Sequence, residues 1–74
     1  MRLSDLQAKD VVSINDGKKV GRIIDAEIDS AGKILYLIVE QTKGFRNLMG
    51  GSVDTTITFS QINKIGSDVI LVNI

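Results

Sequence analysis

The sequence predicts an all-β fold, a small antiparallel β-barrel of about six strands with one or two single helical turns. Three observations carry that prediction. Short runs of β-branched and aromatic residues recur between clusters of Asn, Asp, Ser and Gly, the alternation expected of strands and turns. The stretch from Lys19 to Gln41 reads as two long strands folded back on each other across Ser30-Ala31-Gly32. Strands packed this densely into 74 residues are best satisfied by closing into a barrel, which removes exposed edges.

Taken in order, Leu3-Ser4-Asp5-Leu6-Gln7 reads as one helical turn. Ser4 would cap it, Gln7 would reach back, and Leu3 and Leu6 would plug a barrel end. Asp10–Ile14 is a short β-branched strand, ended by the turn Asn15-Asp16-Gly17, whose residues tolerate the left-handed region. The central hairpin follows, with strands Val20–Asp29 and Lys33–Gln41. Gly21 marks a bulge or a close backbone approach within the first of them. Thr42–Asp54 is a long connection, and Thr55–Phe59 alternates as a strand with Ile57 and Phe59 inward. Ser60-Gln61-Ile62 is a tight helical turn capped by Ser60. Asn63-Lys64-Ile65 and Val69–Asn73 form a last hairpin about Gly66-Ser67-Asp68. Nothing marks a second domain: there is no repeat, no low-complexity linker and no proline.

The hairpin's register decides which side chains fill the barrel. A three-residue loop with Gly32 at the left-handed position pairs Ile28 with Ile34, Ala26 with Tyr36, Ile24 with Ile38 and Arg22 with Glu40. It turns Ile24, Ile28, Ile34, Tyr36 and Ile38 inward. Ile23, Leu35, Leu37 and Val39 then face out as a candidate dimer surface. A two-residue loop would shift the pairing by one and bring Leu35, Leu37 and Val39 inside instead.

Composition excludes more than it assigns. With no cysteine and no histidine, disulfides, thiolate metal sites and the commonest general base are all absent. Nine basic and nine acidic residues cancel. No basic stripe of the kind that binds phosphate backbones is visible, so nucleic acid fits poorly. The longest apolar run falls far short of the ~20 residues of a spanning helix, and Met1-Arg2 leads into no apolar leader segment. A cytoplasmic location is expected. A chain this short buries only about 60% of its unfolded surface, which favours stabilisation by a partner subunit, and hence a homodimer.

Candidate chemistry is sparse. Asp25, Glu27 and Asp29 alternate on one strand about 7 Å apart and face one way, as Mg²⁺ or Ca²⁺ ligands would. A cation site would need a second contributing element, and a solvated strand face explains them better. Gly17-Lys18-Lys19-Val20-Gly21 lacks P-loop spacing and leads into a strand, where no helix N-terminus would face an anion. No catalytic, metal or cofactor-binding residues are assigned. The apolar residues of the 42–54 loop are a candidate partner-binding site, comprising Phe45, Arg46, Leu48 and Met49. Membrane contact is expected only there, if those side chains are displayed rather than packed.

Several stretches together resemble the PRC-barrel family. Asp16-Gly17-Lys18-Lys19-Val20-Gly21-Arg22-Ile23-Ile24-Asp25 is similar to its opening hairpin. The turn Asp29 to Gly32, the Lys33–Val39 run and Ile57-Thr58-Phe59-Ser60-Gln61-Ile62 follow in the family's order. Met1 to Gln7, with Phe45 to Gly50, resembles the stand-alone, sporulation-associated members from Gram-positive spore formers. Thr58-Phe59 stands where members commonly carry Pro-Trp, with Phe59 still able to plug the barrel. The resemblance implies a compact barrel serving as a non-catalytic assembly or adaptor module for a protein partner. It also implies an alternative, a ribosome- or RNA-associated accessory module similar to the barrel domain of a ribosome maturation factor.

Overall fold

A computed structural model describes residues 1–43 and 54–74. The described elements are a single helical turn α1 (Leu3–Gln7), then β1 (Asp10–Ser13), β2 (Lys19–Ile28), β3 (Ile34–Gln41) and β4 (Asp54–Ile57). A 3₁₀ turn (Phe59–Gln61), β5 (Ile62–Ile65) and β6 (Val69–Val72) complete them. The six strands form one sheet in the order β4-β3-β2-β1-β6-β5. The predicted all-β, six-stranded architecture is therefore present. β4 and β5 lie at its two edges with no ladder between them, and β1 and β6 pair in parallel while every other pair is antiparallel.

The turns use the residues that tolerate them. Gly17 and Gly32 sit at φ +72° and +88°, where an L side chain is disfavoured. Asp29 closes the central turn, its carboxylate accepting from the backbone N–H groups of Ala31 (3.0 Å) and Lys33 (2.9 Å). The helical turns are capped two residues before the sequence expectation. In α1 the Asp5 carboxylate accepts from the Arg2 N–H at 2.7 Å, so Arg2 and Asp5 take the roles assigned to Ser4 and Gln7. In the 3₁₀ turn Gln61 Oε1 accepts from the Thr58 N–H at 2.9 Å, so Thr58 replaces Ser60 as the cap. Phe59 consequently leaves the strand and is exposed rather than inward, and of the α1 leucines only Leu6 packs on the core.

The hairpin register is the main correction. Ile28 pairs with Ile34 and Arg22 with Glu40, as expected. Between those two points Asp25 pairs with Ile38, Ala26 with Leu37 and Glu27 with Tyr36. Two bulges account for this: Leu35 has no opposite residue on β2, and Ile24 has none on β3. Each shifts the pairing by one, and their effects cancel by Arg22. Between them Ala26 rather than Asp25 stands opposite Leu37, so the carboxylates of β2 face out while Leu37 joins Ile23, Val39, Val11, Val20, Ile57, Ile70 and Val72 in the core.

The two long strands approach closely at their mouth. A Cβ on Gly21 would land on the Glu40 carbonyl, within 2.8 Å of its carbon, so only glycine fits opposite Gln41. We expect Gly21→Ala to lose about 2–3 kcal/mol in urea denaturation, or to fail to fold, through backbone displacement. The register makes a second prediction. Leu37→Ala should cost about 2–5 kcal/mol because Leu37 is 2% exposed. Leu35→Ala, at an exposed position, should stay within about 0.5 kcal/mol; equal losses would contradict the bulged pairing.

Candidate interaction surface

The longest strand outruns its neighbours. β2 has ten residues, yet β1 covers only its first part, from Lys19 to Arg22. On the other side of the hairpin, β4 reaches only from Leu37 to Glu40 of β3. The half of the hairpin beyond these contacts, residues 23–36, therefore stands as a two-stranded arm with no further strand beside it among the described residues. α1 sits at the arm's root, where the Gln7 side-chain amide donates to the Ile24 carbonyl at 3.4 Å. Past that bond, no described strand pairs with the edge Asp25–Ile28, within which the Asp25 carboxylate accepts from the Ala26 N–H at 2.8 Å.

The arm is apolar where it is exposed and acidic where it is charged. Ile28 is 57% exposed, Leu35 45% and Ile24 43%, so the two bulge residues and the last residue of β2 all lie on the surface. Residues 23–36 include three acidic side chains, Asp25, Glu27 and Asp29, against the single Lys33. The ladder separates the two characters. Ala26 shares a face with buried Leu37, whereas Asp25 and Glu27 share the opposite face with half-buried Ile38 and Tyr36.

The three alternating carboxylates do not converge. Asp25 accepts from the Ala26 N–H at 2.8 Å, and Asp29 is engaged in its own turn. No group of three or more potential metal ligands gathers among the described residues. The core leaves no water-sized space between Val11, Ile23, Leu37, Val39, Ile57 and their neighbours. A surface hollow of about 380 Å³ beside α1, lined by Met1, Asp5, Ala8, Lys9, Ser67 and Asp68, is open to solvent. Lys9 there donates to the Ser67 carbonyl at 2.6 Å, tying α1 to the β5–β6 turn.

The candidate dimer surface divides differently from the expectation. Ile23, Leu37 and Val39 are buried inside the chain, because the face they share is the inner one; only Leu35, at a bulge, remains outside. In exchange Ile24 and Ile28, expected inside, are exposed. The candidate loop residues Phe45, Arg46, Leu48 and Met49 lie outside the described residues. No helix among the described residues is long and apolar enough to cross a membrane.

One ion-pair hub went unread in the sequence. Asp10 Oδ1 meets Lys19 Nζ at 3.2 Å and Arg22 Nε at 3.1 Å across the β1–β2 ladder. Arg22 thus gives its side chain to Asp10, although its ladder partner on β3 is Glu40. The signal was an acidic residue one strand away from a basic cluster, and it becomes specific only once the strand pairing is known. The hydrogen bond from Arg22, then that from Lys19, hold the Asp10 carboxyl below the usual range. A depressed carboxyl contributes stability above its unfolded pKa and loses it as pH falls through the folded one. NMR titration should place Asp10 below the ordinary value near about 4. The stability difference between the native chain and Asp10→Asn should be present at neutral pH and vanish in acid below that value.

The chain is similar to known proteins over nearly its whole length. The family model of the PRC-barrel domain matches residues 1–74. The chain is similar to the "Probable sporulation protein YlmC" of Bacillus subtilis, 38% identical over 73 residues, covering 97% of this chain and 90% of that protein. It is also similar to an uncharacterized protein of Clostridium acetobutylicum, 36% identical over 72 residues, covering 96% of this chain and 82% of that one. A second Bacillus subtilis protein, the uncharacterized YmxH, is 34% identical over 77 residues, covering 100% and 89% respectively.

Proposed function

The chain belongs to the PRC-barrel domain family, and on that premise we propose that it is a non-catalytic, sporulation-associated module that binds another protein through its β2–β3 arm. The observation that carries this reading is the arm itself. Among the described residues it has an edge that no other strand pairs with, and it carries three exposed large apolar side chains, Ile24, Ile28 and Leu35. Clustered exposed apolar groups on a small domain mark a contact surface. The association with sporulation is supported by the name of the YlmC relative, which matches nearly the whole chain. A non-enzymatic role is supported by the carboxylates of the β2–β3 hairpin, of which Asp25 and Asp29 accept from backbone amides.

The partner is a different protein rather than a second copy. Three of the four residues expected to form a dimer surface are occupied in the chain's own core. A cytoplasmic site of action accords with the neutral charge balance.

Two measurements test this. Light scattering at micromolar concentration should give the mass of a monomer; a dimer would return the arm to self-association. In-cell crosslinking during sporulation, with photo-reactive groups at positions 24, 28 and 35, should recover a defined protein. Yields should fall at least tenfold when Ile24, Ile28 and Leu35 are changed together to Ser. Crosslinking confined to ribosomal particles would instead support an RNA-associated role.

A further inference from the structure

We propose that the free edge of β2, Asp25–Ile28, is a strand-addition site for an extended partner segment that alternates basic and apolar side chains. The proposal rests on the protein-binding reading above and specifies its chemistry. Past the bond from Gln7 to the Ile24 carbonyl, no strand among the described residues pairs with this edge. The four-residue edge spans about 13 Å, enough for a short ladder of main-chain hydrogen bonds to an added strand once a basic side chain draws the Asp25 carboxylate off the Ala26 N–H. Edges of this kind are usually shortened, covered or charged with lysine. Here the edge carries no basic residue.

The alternation of faces dictates what the added strand must carry. Asp25 and Glu27 share the outer face, as their pairing with Ile38 and Tyr36 places them opposite to the Ala26–Leu37 pair. Ile28 pairs with Ile34, which packs against the core from the inner side, while Ile28 itself stays largely exposed. A strand laid along the edge sets every second residue beside a carboxylate and the others beside Ala26 and Ile28. Basic residues on the first set and apolar residues on the second satisfy both faces, since opposite charges across a ladder stabilise it and like charges do the reverse.

The same geometry excludes a second copy at this edge. Two β2 edges paired antiparallel about a two-fold axis must keep their faces aligned, so residues of equal parity meet. Centring the axis on Ala26 sets Asp25 against Glu27 of the copy, and centring it on Asp25 or Glu27 sets like against like. Each arrangement opposes carboxylates within a ladder.

The test uses the whole chain, isotope-labelled, and a capped eight-residue peptide of alternating Lys and Val. Amide shifts and slowed hydrogen exchange should concentrate at Asp25–Ile28. A Glu/Val peptide should bind at least tenfold more weakly. The Lys/Val peptide N-methylated on alternate amides should lose binding at least tenfold, because one ladder edge is blocked while charge is retained. In the double variant Asp25→Lys with Glu27→Lys the preference should invert toward the Glu/Val peptide, with the methyl signals of Leu37 and Val39 unchanged as evidence of an intact core. Absence of shifts at the edge with millimolar Lys/Val peptide, indifference to N-methylation, or an unchanged preference in the double variant would each overturn strand addition. If crosslinking recovers a partner whose contacts avoid this edge, the protein-binding role stands and the strand-addition site falls. If no protein partner is recovered in cells, it is the protein-binding role that fails.

Discussion

The structure depends on a cancellation. Leu35 and Ile24 are each one residue too many for their ladder, on opposite strands of the same hairpin. A single bulge would leave the remainder of the pair out of phase, with the apolar face toward solvent. Two restore the phase before the strands reach Gly21 and the close backbone approach at the mouth. Between the bulges the interior receives Leu37 opposite small Ala26, which leaves room for the larger side chain. The core of Val11, Val20, Ile23, Val39, Ile57, Ile70 and Val72 is built around that placement.

The bulges also separate two duties along one pair of strands. The mouth half is flanked by β1 and β4 and fills the interior. The distal half is free of both and carries exposed Ile24 and Ile28 and the acidic row. One continuous hairpin thus joins a rigid anchor to a presented surface without an intervening loop. A binding element held this way loses little conformational freedom on association, because its backbone is already ordered by β2–β3 pairing.

Much of this was legible in the sequence, and the failures share one cause. The strands, their order, the turn residues Gly17 and Gly32, and the need for glycine at position 21 follow from local chemistry that each segment carries itself. The face assignment of the hairpin does not. β2 and β3 are apolar on both parities, so Ile23 and Ile24, or Leu37 and Ile38, compete equally for the interior. The tie is broken by bulges, which depend on the partner strand and leave no composition signature. Phe59 failed for a related reason: the alternation of Thr55–Phe59 continues past the point where Gln61 caps the Thr58 amide and turns the chain. Asp10 was overlooked because an ion-pair hub spanning two strands exists only once the ladder is known.

The parallel pairing of β1 with β6 has a consequence for how the chain acquires its structure. Asp10 lies beside Val69 and Ser13 beside Val72, and the Ser13 hydroxyl donates to the Ile74 carbonyl at 3.0 Å. The first strand is therefore completed by the last, across nearly the whole length of the chain. During synthesis β1 and β2 can associate early, but the interior side of β1 waits for β6 to leave the ribosome. Contacts this distant in sequence slow folding, because the loop between them must close before they form. The sheet should consequently be completed only after translation has passed Val72, as one late step, with the β2–β3 ladder among the first contacts to form.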